Sequence, residues 1–390
     1  MISVEEALTH LFALVGPLEF ETIPLAQASG RILAQTVTAR RNQPPFAASA
    51  MDGYAISGAS YPEQTTYRVI GEAAAGHRFH GTAGPNEAVR IFTGAPMPAG
   101  TDHVLLQENV ARQDNTIVVT DPTNKKSHVR PLGGDFQNGD QITAPRHLRP
   151  SDIALLAAMN IADVPVQRRP VVAIIATGDE LVQPGETPGP DQIIASNSYG
   201  IAALLEANDA QTRLLPIARD TAPALKLAFD LAKDADLIVT IGGASVGDHD
   251  LVGDVATNSG MERAFYKIAM RPGKPLMAGR MGNATMIGLP GNPVSAMVCA
   301  HIFLLPVIRK MLGRSEAAAP RKTAQLAAPV GPNGPREHYM RAKVDENGVT
   351  VFERQDSALL SVLADANCLA VRPIADPARQ TGDTIEIIAL

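Results

Sequence analysis

Apolar residues at Leu8, Leu11, Phe12 and Val15 recur at the spacing of one helix face. Ahead of them, Ser3-Val-Glu-Glu6 has the form of a capping box, in which the Ser3 hydroxyl and the Glu6 carboxylate each accept an otherwise orphaned backbone N–H. Together they predict an amphipathic helix over residues 4–15. From about 41 to 140 the pattern changes to short apolar runs such as Tyr67-Arg-Val-Ile70, Ala88-Val-Arg-Ile91, His103-Val-Leu-Leu106 and Thr116-Ile-Val-Val119. Gly or Pro cuts them every few residues, which predicts an irregular, mostly β domain. Residues 141–168 read as helix-like, with Pro150 at the helix start and Ile153, Leu155, Leu156 and Met159 behind it. The β region (41–140) is therefore expected as an insertion into a small helical or mixed domain built from 1–40 and 141–168.

Between 169 and 313 strand-like and helix-like segments alternate. Strands are expected at 171–176, 212–217, 236–241 and near 264–269, helices at 197–206, 222–233 and 251–258, then a hairpin around 276–288 and a long helix from Pro293 to Leu312. Such alternation predicts a parallel sheet with helices on both faces. After an alanine-rich linker at 314–321, residues 321–390 hold only strand-like runs, among them Val349-Thr-Val-Phe352, Leu369-Ala-Val-Arg372 and Thr384-Ile-Glu-Ile-Ile388. A small β-barrel or sandwich is expected there. The fold class is thus multidomain, α/β plus β.

Composition narrows the function classes. The chain has 390 residues, 45% hydrophobic and 19% charged, enough for two to four domains. Its net charge of -6 argues against a basic face for nucleic acid. No apolar run reads as a membrane span, and Met1-Ile-Ser-Val-Glu-Glu lacks the basic and apolar stretches of a signal peptide. Cys299 and Cys368 are far apart and outside any metal-ligand spacing, so a reducing cytoplasm and two unpaired buried thiols are expected.

Candidate chemistry gathers at three strand ends. The apolar run Ile238–Ile241 stops at Gly242-Gly243, followed by Ser245, Gly247, Asp248 and Asp250. Glycines there let backbone N–H groups approach an anion, and the acids can hold a metal ion or a polar ligand. A tight strand–helix turn would also place acids near a helix N-terminus, and His249 reads as solvated or capping because no second His sits at ligand spacing. Val171–Ala176 runs into Thr177-Gly-Asp-Glu180, which is also turn chemistry, and Ala284–Gly288 runs into Leu289-Pro-Gly-Asn-Pro293. In that last loop Asn292 suits an N-cap and Pro293 a first helical turn, and the helix would aim free N–H groups at the same sheet edge. Lys267, Arg271 and Lys274 concentrate charge around Arg271-Pro-Gly-Lys-Pro275, where phosphate or another oxyanion is the natural counter-charge. In the β region, Ser49-Ala-Met-Asp-Gly-Tyr-Ala55 and Phe92-Thr-Gly-Ala-Pro-Met-Pro98 read from physics alone as turns.

These strings, with Thr177-Gly-Asp-Glu-Leu181, Gly242-Gly-Ala-Ser-Val-Gly247, Arg271-Pro-Gly-Lys-Pro275 and Gly288-Leu-Pro-Gly-Asn-Pro-Val-Ser295, follow a family order. The chain resembles the molybdopterin molybdenumtransferase family, bacterial MoeA and the E domain of gephyrin, over nearly its whole length. The resemblance implies an elongated homodimer of four-part subunits, with a Mog/MoaB-like three-layer α/β domain for molybdopterin and a C-terminal β-barrel-like domain. It implies insertion of molybdenum from molybdate into adenylylated molybdopterin with release of AMP. Asp52, Glu180, Asp250, Lys267 and Arg271 would be the catalytic set. Thr93, Asp135, Asp220, Gly242, Gly243, Ser245, Gly247, Lys274, Pro290, Gly291, Asn292, Pro293, Arg341 and Ser357 would bind substrate.

Acids facing a polyanion need a counter-charge, so Mg²⁺ or another divalent cation held by some of Asp52, Glu180 and Asp250 is expected. Molybdate, a dianion, would use Lys274 and the N–H groups around Pro290–Asn292. Asp52 would serve the partner subunit's site. Arg271 stands where many members have lysine and Ala244 where valine is commoner; the first exchanges a point charge for a planar fork. The implied partners include the molybdopterin adenylyltransferase and molybdoenzyme-maturation proteins. Two rival readings are the adenylyltransferase step itself, opposed by the extra β domains, and a gephyrin-like scaffold, opposed by the lack of a linker or further domain.

Overall fold

A computed structural model of the chain describes residues 1–243, 251–314 and 317–390. Its centre is a six-stranded sheet in the order Gln211–Leu214, Val171–Ala176, Leu237–Ile241, Ala284–Leu289, Met277–Met281, Met261–Tyr266. The first four strands are parallel, while the hairpin and edge strand join antiparallel, so the sheet is mixed rather than all parallel. The reason is local: two residues, Gly282 and Asn283, separate Met281 from Ala284, too few for a crossover.

Side chains of the central strands alternate between two cores. Val172, Ile174, Leu237 and Val239 face Ile201 and Leu205 of the helix Ser196–Glu206 and the apolar helix that begins at Pro293. Ala173, Ile175 and Ile238 face Leu225 and Phe229 of the helix Ala222–Ala232 and Val252 and Val255 of the helix Leu251–Asn258. Helices thus cover both faces, the three-layer arrangement expected. The segment Pro293–Met311 is, by length and mean hydropathy (1.5), apolar enough to cross a membrane, although the sequence reading found no such run. Most of it is buried in the core, which accounts for its composition.

The helix Val4–Leu14 carries the capping box: Glu6 N donates to Ser3 Oγ at 3.0 Å and Ser3 N to Glu6 Oε2 at 2.7 Å. Its buried Val4, Ala7 and Leu11 join the core with Phe265 and Ile268. Its packing partner is therefore the α/β domain, not the small domain with which its sequence position grouped it. That small domain is mainly a sheet, in the order Phe20–Pro24, Asp163–Gln167, Ile32–Leu33, Arg146–His147. Within 141–168 only Pro150–Ala158 is helical. The alternation of Val164 and Val166 inward makes 163–167 a strand, against the helix-like reading of 141–168.

The inserted region builds its own six-stranded sheet around Gly53–Ile56 and Glu87–Ile91. The C-terminal strands form a sheet around Glu337–Asp345 and Cys368–Arg372, with one short helix, Leu360–Asp365, that the sequence reading missed. The strand Met270–Arg271 leaves the α/β domain and pairs parallel with Glu337 and His338. The cationic motif consequently lies on the seam between two domains.

Candidate functional site

Three strand ends are tied together by backbone. Thr177 N donates to Ile241 O at 3.0 Å and Gly242 N to Leu289 O at 3.2 Å. Gly242 and Gly243 both take positive φ, 91° and 66°. A Cβ at Gly242 would lie 2.7 Å from Thr177 O, and one at Gly243 would lie 2.2 Å from Val252 Cγ2. Only glycine lets the central strand turn this tightly against the Thr177 loop. Within that loop Thr177 Oγ1 donates to Asp220 Oδ1 at 3.0 Å, which fixes one carboxylate at the strand edge.

These ends border a cleft of about 770 Å³ whose lining includes Glu180, Asp220, Gly242, Gly243 and all of Pro290–Pro293. Two acids, two glycines and a helix start converge there, at the carboxyl edge where open α/β sheets bind ligands. The helix start differs from expectation in one respect. Asn292 occupies the N-cap position without a side-chain cap bond; its amide instead donates to Ser357 Oγ at 3.0 Å. Pro293 has no N–H, and Val294 N donates to Ser357 O at 3.0 Å, so the protein itself occupies part of the supposed anion-binding helix end. The C-terminal domain reaches the cleft by the same contact, and Ala358 lines it.

Pro275, which ends the cationic motif, is also in the lining, whereas Lys267, Arg271 and Lys274 are not; Arg271 sits at the seam through its pairing with His338. Ile268 N donates to Lys274 O at 3.0 Å and Lys267 N to Leu276 O at 3.0 Å, closing the loop. Gly273, at φ 109°, has room for no Cβ: Cys299 Sγ would lie 2.4 Å away. Cys299 is thereby explained as a buried packing residue, its thiol pushed upward by burial.

Across the seam Arg341 is fully buried. Its Nη2 donates to Asp356 O at 3.0 Å and Arg354 O at 3.4 Å, while Nε and Nη1 have no partner. Burial and the nearby Arg271 charge push its pKa down. His338 is pushed down to about 4, first by burial and then by Arg271, Arg341 and other arginines. A buried guanidinium with unpaired donors next to a second cation is a site short of negative charge.

Asp52 and Thr93 lie in the inserted domain and meet there. Thr93 donates both its N–H and its hydroxyl to Asp52 Oδ1, each at 2.7 Å, and these bonds, backbone first, hold the carboxylate below its ordinary pKa. Antiparallel pairing of Tyr54 with Arg90 aligns the two motifs. Gly53 is obligatory, since a Cβ would fall 1.9 Å from Leu105 O. Asp135 is exposed in a turn of the same region, its N–H bonded to Gln43 O. None of Asp52, Thr93 and Asp135 lines the cleft, so within the chain Asp52 and Glu180 are not brought to one pocket. Ser245, Gly247 and Asp250 lie outside the described residues.

Four residues carry parts of the site that no sequence motif marked. Asn197 Nδ2 donates to Gly291 O at 2.7 Å and steadies the Pro290–Pro293 loop; the polar run Ser196-Asn-Ser198 after an apolar strand was its signal. Arg90 stacks on Tyr54 and Phe92, 5.0 and 4.7 Å from their ring centroids, beside Asp52. Ile193 and Ile194 line the cleft with exposed apolar faces.

A mixed α/β sheet with glycine turns and carboxylates at its carboxyl edge defines the class as an α/β protein with a ligand cleft at the strand ends. Three family models match the chain: the MoeA N-terminal region (domain I and II) over residues 2–160, a probable molybdopterin binding domain over 173–310, and the MoeA C-terminal region (domain IV) over 323–390. A molybdopterin molybdenumtransferase of Nostoc sp. is 34% identical, covering 100% of this chain and 94% of that protein. One from Haemophilus influenzae is 33% identical, over 99% and 98%. The crystal structure of the molybdopterin biosynthesis MoeA protein from Pyrococcus horikosii superposes with a TM-score of 0.86 at 28% identity, covering 100% of this chain and 99% of that one. The chain belongs to the MoeA family.

Proposed function

We propose that this chain is a molybdopterin molybdenumtransferase: it takes adenylylated molybdopterin and molybdate, inserts the metal into the dithiolene and releases AMP. One observation carries the reading, the cleft at the carboxyl edge of the α/β sheet, where Glu180, Asp220, Gly242-Gly243 and Pro290–Pro293 converge in a chain that matches transferases end to end. The glycine turns and the cations at the seam suit the substrate's phosphates. Molybdate is assigned to the seam, where Arg271, Lys274 and the unpaired donors of Arg341 supply positive charge and Ser357 a hydroxyl.

Mg²⁺, or another divalent cation, fits the donor chemistry. Among the described residues no three His, Cys, Asp or Glu side chains gather as a metal cage, but Mg²⁺ is usually held by one or two carboxylates plus substrate phosphates. Glu180, Asp220 and, beyond the described residues, Asp250 are the carboxylates for it. The cation would neutralise charge on the phosphates as the bond to AMP breaks. Because Asp52 does not line this cleft, we assign it to the partner subunit's site in a homodimer. The free thiols Cys299 and Cys368 suit the cytoplasm.

The test is AMP release from adenylylated molybdopterin by the purified chain with Mg²⁺. Release that requires molybdate and stops with EDTA is expected; release without molybdate, or none at all, overturns the assignment. Subunits carrying Asp52→Ala mixed with subunits carrying Glu180→Gln should regain activity through one intact site per mixed dimer. Mixed dimers confirmed by mass that stay inactive would return Asp52 to its own chain.

A further inference from the structure

Next to the cleft, and sharing Ser196 and Asn197 with it, lies a smaller recess of about 290 Å³. Its walls come from the helix Ser196–Glu206 through Gly200, from the helix that begins at Pro293 through Met297 and His301, and from the C-terminal helix Leu360–Asp365 through Leu360, Leu363 and Ala364. Three features set it apart from an ordinary packing gap.

Gly200 stands inside a helix without a positive φ, a position where glycine costs up to about 1 kcal/mol relative to alanine. A Cβ there would meet Met297 Sδ at 3.1 Å, so the missing side chain keeps the floor clear. Met297 itself is a polarizable thioether of the kind that packs favourably on ring systems. His301 sits in the one-turn π-helix Ala300–Leu304, a distortion frequent at functional sites. Burial, with help from Arg309, pushes His301 down to about 4, so its imidazole is neutral at pH 7, with one nitrogen to donate and one to accept.

The substrate of the proposed reaction carries a nitrogen-rich fused ring at each end of a phosphate linkage, a planar adenine at one end and a reduced pterin at the other. The cleft has exposed apolar surface at Ile193 and Ile194 and, through Ser196 and Asn197, adjoins this recess. We propose that the recess is the seat for one of these heterocycles, which lies against Met297, Leu360 and Leu363 with a ring nitrogen facing His301 while its phosphate points into the cleft. This rests on the transferase reading above. The shared chemistry is a purine- or pteridine-type ring; adenine and pterin are its two sources here.

Equilibrium binding to the full chain tests it with three probes: AMP, ribose 5-phosphate as the same phosphate without a base, and 6-hydroxymethylpterin. Ala364→Phe, at an exposed helix position, and Gly200→Leu, at a helical one, both fill the recess, and thermal melts establish that each variant folds. Stacking and contact with one ring correspond to about a tenfold change in affinity. A drop of about tenfold for AMP alone in both variants, with ribose 5-phosphate unchanged, makes the recess the adenine seat. The same drop for the pterin alone makes it the pterin seat. Unchanged affinity for both rings in folded variants, while the wild type still releases AMP with molybdate, overturns the recess and leaves the transferase reading standing. A wild type that releases no AMP overturns both.

Discussion

Arg341 separates a functional cation from a structural one. The perturbation is Arg341→Met, which keeps an unbranched apolar stem and removes the guanidinium and its charge. In the fully buried guanidinium, Nε and Nη1 have no partner, so three of five N–H donors are unsatisfied, while Nη2 holds Asp356 O and Arg354 O. Removing unpaired buried donors recovers about 1–3 kcal/mol each, and losing hydrogen bonds from a charged group costs about 1.5–3 kcal/mol each. These nearly cancel, and the relief of repulsion from Arg271 favours the variant. The ligand-free melting temperature should therefore move by a few degrees at most, about 2–4 °C per kcal/mol for a domain of this size. Affinity for molybdate should collapse, because truncating a buried charged contact costs about 2–5 kcal/mol, thirtyfold or more. Thermal melts with titrated sodium molybdate read both quantities, since a ligand raises the wild-type transition by mass action. If the variant instead melts far lower without ligand and still responds to molybdate like the wild type, Arg341 is a strut and the seam is not the anion site.

Gly53→Ala should destabilise the inserted domain by about 2 kcal/mol or more, since the new Cβ would meet a backbone carbonyl, Leu105 O, that the sheet holds in place. Urea unfolding against Gly16→Ala, where nothing lies within 4 Å, checks this, and equal midpoints would contradict it. His338 is pushed to about 4 in the folded chain, below its ordinary value of 6.5, so between those pH values the unfolded chain binds a proton that the folded chain does not. Stability should fall as pH drops from about 6.5 to about 4, by on the order of 3 kcal/mol from this residue, and then level off. His338→Gln should show a shallower slope in that window, and His301, also near 4, adds to it; identical pH profiles for wild type and variant would refute the account.

Local chemistry was enough for much of this protein. The capping box at Ser3 and Glu6, the strand–glycine boundary at Ile241–Gly242 and the helix start at Pro293 each depend on a few neighbouring residues whose preferences agree. The three strand-end loops could be assigned to one edge because parallel strands joined by helices leave no other choice. What lay beyond sequence reach involves partners distant along the chain. Residues 163–167 became a strand because Phe20–Pro24 offered them an edge. Met270–Arg271 was drawn out of its own domain by pairing with Glu337 and His338. Asn292 gave up a local cap for Ser357, 65 residues away. Arg341 entered by the family resemblance alone; its burial and its two unmatched nitrogens are encoded by no spacing. A residue's type and spacing determine what it can offer, whereas its desolvation and its unpaired donors are set by the surfaces that tertiary packing brings against it.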